Sequence, residues 1–325
     1  MKRAGLLMAV ACSMLGSIVV GAPASARDYP TRPIRLIIPQ NPGSSNDTIS
    51  RIVYVKMGER LGQQFVIDNR PGAGGTIAGE IAALATPDGY TLFGTATSSA
   101  VIGPQVVKKL NYNPRGFAPI SLVALTQNIL VVNPKLPVHT LKELINYTKA
   151  TPAKVNMANA GLGTQSHLAG VLVAHAAGLN VVSVPYRGGG ASVGATIAGE
   201  SPVTITPAPA VFGHIKAGRL RAIASGGEKR LPLLPDVPTL IESGLKGFVT
   251  QGWIAVVAPK GTPGPVINKI RETLIKVEHD PATARAMERV GGDPKTSTPA
   301  ELAALFDAEW KNFGDAIKLA GLKAH

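Results

Sequence analysis

The sequence predicts an α/β protein of two domains, with mostly parallel sheets and flanking helices. Three observations carry this prediction: the length of the chain, the alternation of short apolar runs with helical stripes, and a pair of similar small-residue loops. The 325 residues exceed what a single hydrophobic core usually serves. Strands that alternate with helices are typical of parallel sheets, because each crossover connection places a helix on a sheet face.

Short runs rich in valine and isoleucine predict buried strands. They cover residues 34–38, 129–132, 181–184 and 254–257. Apolar residues at helical spacing predict helices in the segments between and after these runs. The stripes are Ile49, Ile52, Val53, Met57 and Leu61; Leu168, Val171, Leu172 and His175, with Gly178 as C-cap; Val266, Ile270, Leu274 and Val277; and Leu302, Leu305, Phe306, Phe313 and Ile317.

The amino terminus reads as a secretory signal peptide. Lys2 and Arg3 precede an uncharged, largely apolar run that ends in Ala24-Ser25-Ala26, and small residues at these positions fit a signal-peptidase site. We therefore expect cleavage after Ala26 and a periplasmic location. The only cysteine, Cys12, lies in the apolar run, so the mature chain is expected to hold no disulfide and no thiolate metal site.

The charge of the chain favours an anionic solute over nucleic acid. The formal net charge is +13, and removal of Lys2 and Arg3 leaves +11. The basic residues are scattered, without a basic run or interleaved aromatic residues, so we expect no nucleic-acid partner. A diffuse positive field raises the local concentration of an anion near a cleft.

In two places a predicted strand gives way to a small-residue loop and then to a helix. These loops span residues 39–47 and 159–167. Glycine allows close approach of the backbone to a ligand, and the N-terminus of a helix favours a carboxylate. Because Ser44 and Thr164 are 120 residues apart, we expect the loops to face each other across an interdomain cleft. A capping box from Ser44 to Asp47 explains the first loop equally well.

The ordered motifs of the mature chain resemble the Bug-type solute-binding proteins of tripartite tricarboxylate transporters. The motifs are residues 29–34 (YPTRPI), 42–47 (PGSSND), 69–75 (NRPGAGG), 87–92 (PDGYTL), 159–168 (NAGLGTQSHL), 184–190 (VPYRGGG), 214–222 (HIKAGRLRA) and 234–239 (LPDVPT). The resemblance implies a two-domain Venus-flytrap fold of the type II periplasmic binding class. It also implies a monomer that captures a small mono- or dicarboxylate, aromatic ones included, and delivers it to the membrane subunits of the transporter.

The resemblance further implies domain boundaries and site residues. After the signal peptide of residues 1–26, which the amino terminus itself indicates, residues 27–126 and 250–325 are expected to form the first domain and residues 127–249 the second. Small hydroxyls and backbone amides are expected to hold the carboxylate, with Arg187 facing a distal carboxylate or solvent. The predicted ligand-binding residues are Gln40, Ser44, Ser45, Asn46, Thr97, Ser98, Gly163, Thr164, Gln165, Ser166, Arg187 and Thr206.

Departures from the family pattern bear on the ligand. In the first loop, Gln40 stands where the family usually has an aromatic residue, and Ser44 stands where it has a second glycine. Before His214, Pro202 and Thr206 stand where the family usually has aspartates. A pocket without an acidic group at Thr206 is less suited to an amine. Gln40 replaces an apolar stacking face with a hydrogen-bonding amide.

The sequence also bears on two other functions. A serine hydrolase would use Ser166 with His167, or Ser45 with a distant histidine. Neighbouring residues on a helix do not face one another, so Ser166 and His167 are not expected to pair. The six histidines show no metal-ligand spacing, and the glycines of residues 71–75 lack the dinucleotide fingerprint. We therefore expect no catalysis, no metal and no cofactor.

A second alternative keeps the binding role but changes its output. The sequence does not distinguish delivery of the ligand to a permease from presentation of the liganded protein to a sensor kinase.

Overall fold

The computed structural model describes residues 29–319, 321 and 322. The predicted signal peptide, its cleavage after Ala26 and Cys12 therefore lie outside the described residues. None of the helices in this part of the chain is long and apolar enough to cross a membrane.

The described chain alternates strands and helices along its length. The strands are β1 Ile34–Ile38, β2 Phe65–Asn69, β3 Thr91–Ala96, β4 Ala118–Val132, β5 Val155–Asn159, β6 Val181–Pro185, β7 Val203–Pro207, β8 Arg221–Ser225, β9 Gln251–Ala258 and β10 Gly292–Pro294. The helices are α1 Ser45–Leu61, α2 Thr76–Ala83, α3 Gly103–Val106, α4 Leu141–Ala150, α5 Gln165–Ala177, α6 Gly189–Ala198, α7 Ala208–Lys216, α8 Gly264–Glu278, α9 Pro281–Glu288 and α10 Pro299–Leu319. A 3₁₀ turn at Ala73–Gly75 precedes α2, and a π-helical segment at Ser98–Ile102 precedes α3.

The strands form two sheets that meet along the long strand β4. The order β2-β1-β3-β9-β4 makes the first sheet, and β4-β7-β5-β6 makes the second. The amino-terminal part of β4 pairs with β9 as far as Gln127 opposite Gln251. Its carboxyl-terminal part pairs with β7 from Asn128 opposite Pro207. The chain thus passes from one sheet to the other between Gln127 and Asn128.

The sheets are mixed, whereas the sequence predicts mostly parallel ones. β1 pairs in parallel with β2 and β3, and β5 with β6 and β7. The pairs that β4 makes with β7, β8, β9 and β10 are antiparallel, as is the pair of β3 with β9. The reason is that β4 and β9 link the two sheets and do not belong to a strand-helix-strand repeat.

Separate cores lie on the two faces of each sheet. In the first sheet, Ile34, Leu36 and Ile38 of β1 pack with α1 and α8, while Ile37 packs toward α2 and α10 on the opposite face. The second sheet has a large core against α4 and α5 and a smaller one against α6 and α7. A further apolar cluster joins Leu168 of α5 to Ile102, Val106 and Ile317.

The predicted strands and helical stripes all lie in elements of the predicted type. β6 differs from the prediction of a buried strand, because it is the edge strand of the second sheet and Val182 is 43% exposed. In α5 the stripe is displaced: Val173 is buried and His175 is exposed. Gly178 ends α5 in the left-handed conformation, with φ 62°, as the sequence predicts.

Candidate functional site

A cavity of about 620 Å³ lies between loops of the two sheets. Five helices begin on its wall, and the N-cap residue of each lines the cavity: Ser44 of α1, Gly75 of α2, Thr164 of α5, Gly188 of α6 and Pro207 of α7. The N-terminus of a helix carries a partial positive charge and unpaired backbone N–H groups. The convergence of these termini therefore makes the cavity attractive to an anion.

The first wall begins with the loop that caps α1. The Ser44 hydroxyl accepts a hydrogen bond from the N–H of Asp47 at 3.3 Å, and the Asp47 carboxylate accepts one from the N–H of Gly43 at 2.9 Å. The N-cap bond of the expected capping box is therefore present, whereas the Asp47 carboxylate reaches one residue further back than expected, to Gly43. Burial alone would raise the pKa of Asp47, but hydrogen bonds from Arg51, Gly43 and Asn69 outweigh it and lower the pKa. Asp47 is an ionised structural group, and it is not on the cavity wall.

Polar side chains beside this loop line the cavity floor. Gln40 donates from Nε2 to the Ser98 hydroxyl at 3.2 Å, and both residues line the cavity. Ser45 also lines it and is 8% exposed, and its hydroxyl has no hydrogen-bond partner within the described chain. A hydroxyl in this position remains able to donate to a ligand, since hydroxyl rotors adjust to the acceptor.

Asn46 and Thr97 do not line the cavity, although the sequence predicts both as site residues. The Asn46 amide donates to the carbonyl of Gly94 at 2.7 Å and its oxygen accepts from Ser50. The Thr97 hydroxyl accepts from the N–H of Trp253 at 3.0 Å. Both side chains point into the protein, because a helix turn or a strand end presents only some of its residues to one side.

The second wall is built by the loop that caps α5. The Thr164 hydroxyl donates to the carbonyl of Gly161 at 2.6 Å and accepts from the N–H of His167 at 3.3 Å. The Ser166 hydroxyl accepts from the N–H of Ala160 at 2.9 Å. A hydroxyl has a single proton to donate, and Thr164 donates it to Gly161 within its own loop. Whether this hydroxyl donates to a carboxylate stays a prediction, and such a bond would replace the one to Gly161.

Gly163 is the third predicted residue that does not line the cavity. It lies at the seam between the walls, where a Cβ atom built on it would lie 2.5 Å from Cγ2 of Val106 and 3.5 Å from Cα of Gly103. Its φ of +70° also favours glycine. Gly163 therefore permits the walls to touch, and its own surface is covered by that contact.

Arg187 and Thr206 line the cavity on the side of the second sheet. Arg187 is exposed and is the only charged residue among the described lining residues, which include no Asp or Glu. Thr206 belongs to β7 and is 3% exposed. Tyr186, which also lines the cavity, is fixed by a 2.9 Å hydrogen bond between its hydroxyl and that of Ser201.

The cavity thus brings together nine of the twelve predicted residues: Gln40, Ser44, Ser45, Ser98, Thr164, Gln165, Ser166, Arg187 and Thr206. Sequence reasoning missed Asn41 and the glycine loop of residues 71–75, which also line it. The sequence feature that could have indicated this loop is its run of glycines immediately before α2. Gly75 has φ 96°, and a Cβ there would lie 2.5 Å from Cβ of Ser99, so this loop packs as closely as the two that were predicted.

The site holds no arrangement typical of catalysis. Ser166 makes its hydrogen bonds to Ala160 and Thr164, residues of its own loop. In the part of the chain that the structure describes, no group of three or more His, Cys, Asp or Glu side chains could hold a metal ion. The geometry instead fits the reversible binding of an anion.

The chain is similar to known proteins over nearly its whole length. A family model described as the tripartite tricarboxylate transporter family receptor matches residues 49–322. Protein BugT of Bordetella pertussis is 34% identical over 319 residues, which cover 98% of each chain.

Solved structures are also similar. The periplasmic binding protein BugD superposes with a TM-score of 0.86 at 31% identity, covering 91% of this chain and 100% of that chain. An R. palustris protein solved with adipate gives 0.89 at 29% identity, covering 92% and 100%. MatC from Rhodopseudomonas palustris with bound malate gives 0.82 at 27% identity, covering 89% and 100%.

Proposed function

This chain belongs to the tripartite tricarboxylate transporter receptor family, and we propose that it captures a small organic carboxylate in the cavity between its two sheets. The resemblance and the periplasmic binding protein fold expected from the sequence are confirmed. The family consists of solute-binding receptors and not of enzymes. The observation that carries the proposal is the convergence of five helix N-termini on one cavity.

The charges and surfaces of the cavity support a carboxylate ligand. The described lining has one cationic side chain, Arg187, and no acidic side chain that would repel an anion or bind an amine. A carboxylate between the starts of α1 and α5 would meet Ser45, Gln165 and Ser166. Prolines and alanines of the lining offer apolar surface to the rest of the molecule: Pro39, Pro71, Ala73, Ala160, Pro185, Pro207 and Ala210.

The ligand class that we favour is a dicarboxylate. Adipate and malate, which accompany two of the similar structures, each carry two carboxylates. Arg187 lies on the same cavity wall as the start of α6, so it is placed to meet a second carboxylate that α1 and α5 do not hold. A paired cation and helix terminus discriminate against neutral ligands more strongly than either alone.

We further propose that the two sheets belong to domains that close on the ligand. The first domain would comprise residues 27–126 and 250–325, and the second residues 127–249. The strand pairing changes partner between Gln127 and Asn128, and Asn128 donates from Nδ2 to the Thr250 hydroxyl at 2.6 Å. A hinge would bend at these crossings, because they are the points at which the chain passes from one sheet to the other.

We also propose a periplasmic route for the ligand. After secretion and cleavage behind Ala26, the protein would deliver its ligand to the membrane subunits of a tripartite tricarboxylate transporter. Intact-mass analysis of periplasmic protein should then show a chain that begins at Arg27. A retained amino terminus or an added lipid would contradict the cleavage.

A thermal-shift screen of mono-, di- and aromatic carboxylates tests the proposed ligand class. A ligand at a hundred times its dissociation constant stabilises a fold by about 2.7 kcal/mol, which is a readily measured shift. We expect at least one dicarboxylate to stabilise the protein and its neutral diamide to have no effect. Stabilisation by amines or neutral solutes alone would contradict the proposal.

A further inference from the structure

A hydrogen bond from Asn41 joins the two walls of the cavity. Nδ2 of Asn41 donates to the backbone carbonyl oxygen of Arg187 at 2.5 Å. Asn41 follows β1 in the first sheet, whereas Arg187 follows β6 in the second. Both residues line the cavity. The bond therefore joins the two sheets directly, across 146 positions of the chain.

The backbone beside Arg187 leaves room for this amide only because the next residue is glycine. A Cβ atom built on Gly188 would overlap Nδ2 of Asn41 and would lie 3.4 Å from its Cβ. Gly188 also has φ +98°, which residues with a side chain rarely adopt. The Asn41 side chain is thus seated on the turn, and its amide reaches the carbonyl at close range.

The same contact is connected to both loops that cap α1 and α5. The carbonyl of Asn41 accepts from the N–H of Ser44 at 3.2 Å, so Asn41 belongs to the loop that starts α1. The N–H of Gly188 donates to the carbonyl of Ala160 at 3.2 Å, and the N–H of Ala160 donates to Ser166 at 2.9 Å. A continuous line of hydrogen bonds therefore runs from the start of α1 to the start of α5.

We propose that Asn41 is a latch residue that holds the closed cavity shut and sets how fast a bound ligand leaves. This inference rests on the proposed function, since it requires that the walls separate during release. Asn41 acts by positioning the turn at Arg187 and Gly188, and it need not touch the ligand. Opening must break its hydrogen bond, whereas a ligand enters the open form, in which that bond is not made. The latch therefore slows dissociation more than it changes association.

The test is a stopped-flow measurement of association and dissociation rates with adipate and with malate. In Asn41→Ala the dissociation rate should rise by about two- to tenfold, as expected for loss of one hydrogen bond. The association rate should stay within about twofold of the wild-type value, since association precedes latch formation. The ligand-free unfolding midpoint should fall by no more than the loss of one hydrogen bond implies, because the Asn41 carbonyl that accepts from Ser44 is retained.

A matched control is Asn111→Ala. The Asn111 amide is exposed and donates to Glu80 at 3.1 Å, a contact within one side of the molecule. This variant should release both ligands at the wild-type rate. A dissociation rate in Asn41→Ala that equals that of the control would overturn the latch.

A second experiment separates the latch from the proposed ligand class. If wild-type protein binds neither adipate nor malate, the ligand class fails while the closed contact remains testable without ligand. With Cys12 replaced by serine, Asn41→Cys with Gly188→Cys should form a disulfide, because the 3.4 Å from the Asn41 Cβ to a Cβ built on Gly188 approaches disulfide geometry. The rate of oxidation is the readout, since cysteine at φ +98° is strained.

The control pair is Asn41→Cys with Gly213→Cys. A Cβ built on Gly213 has nothing within 4 Å, so this pair does not face Asn41. Oxidation of the first pair well above the rate of the control pair supports the latch. Equal rates in two folded proteins would overturn it.

Discussion

The carboxamide of Gln165 lies directly against the backbone of Gly252. A Cβ atom built on Gly252 would overlap Nε2 of Gln165 and would lie 2.5 Å from its Cδ. Gln165 is the first residue of α5 in the second sheet's layer, and Gly252 belongs to β9 in the first sheet. The absence of a side chain at Gly252 therefore allows a cavity residue of α5 to rest on a strand of the first sheet.

The first prediction is that Gly252→Ala weakens ligand binding by displacing Gln165. The added methyl meets the far end of a flexible side chain, so Gln165 moves aside and loses its proposed hydrogen bond to the carboxylate. A hydrogen bond to a charged group is worth about 1.5 to 3 kcal/mol, or roughly tenfold to a hundredfold in the dissociation constant. Isothermal titration with adipate or malate measures the effect. Gly213→Ala is the control, because its added methyl meets no atom within 4 Å. Equal affinities in the two variants would show that the contact with Gln165 is not needed for binding.

The second prediction concerns Thr164, whose hydroxyl caps α5 and ties its own loop. Thr164→Ala should lower the free energy of unfolding by about 1 kcal/mol, the usual cost of losing an N-cap. Affinity should fall only severalfold, because the ligand loses an ordered loop and not a direct bond. Thr164→Ser should restore both quantities. Urea denaturation and titration calorimetry check this, and a hundredfold loss of affinity at unchanged stability would instead indicate a direct bond.

The third prediction is a pH dependence set by Glu278. This residue is 3% exposed, and burial raises its pKa to about 9, although the backbone N–H of Lys295 acts in the opposite direction. The folded protein therefore keeps the proton that the unfolded chain releases above its ordinary pKa of 4.5. Between these two pH values the free energy of unfolding should fall, by at most about 1.4 kcal/mol per pH unit from this group.

Glu278→Gln removes the titrating group and should flatten this part of the profile. Urea denaturation at pH 5 and pH 8 gives the comparison, with the exposed Glu59→Gln as the control. The stability of Glu278→Gln relative to wild type should increase from pH 5 to pH 8. Parallel profiles for wild type and Glu278→Gln would mean that Glu278 does not carry the linkage.

The fourth prediction is that a ligand makes the protein more compact. Closing the walls about the crossings at Gln127 and Thr250 buries the carboxylate against α1 and α5 together, so each wall contributes fully only in the closed state. Small-angle scattering should therefore give a smaller radius of gyration with a saturating dicarboxylate than without it. Superimposable curves would contradict ligand-driven closure.

The sequence was informative wherever structure depends on neighbours in the chain. The strand at β1, the stripe of α1, the Ser44 N-cap and the Gly178 C-cap all follow from local patterns of polarity, hydrogen bonding and glycine placement. The family resemblance extended this to nine residues of the cavity wall. These features need no knowledge of how distant segments meet.

The remaining features depend on contacts between distant segments. Asn46 and Thr97 face inward because their side chains form hydrogen bonds with the backbone of Gly94 and of Trp253, respectively. Neither partner can be identified from the local sequence. The bond from Asn41 to Arg187 joins residues separated by 146 positions. The mixed sheets likewise arise from β4 and β9, whose antiparallel pairing is decided by the passage between the two sheets.

The central claim is that the convergent helix termini bind a small dicarboxylate. Isothermal titration of the wild-type protein with adipate and malate, and with the neutral diamide of each, tests it most directly. The account predicts saturable binding of at least one dianion at one molecule per chain, with the matching diamide weaker by roughly a hundredfold or more, as loss of charge-assisted hydrogen bonds implies. Equal binding of dianion and diamide, or no binding of either dianion, would contradict it.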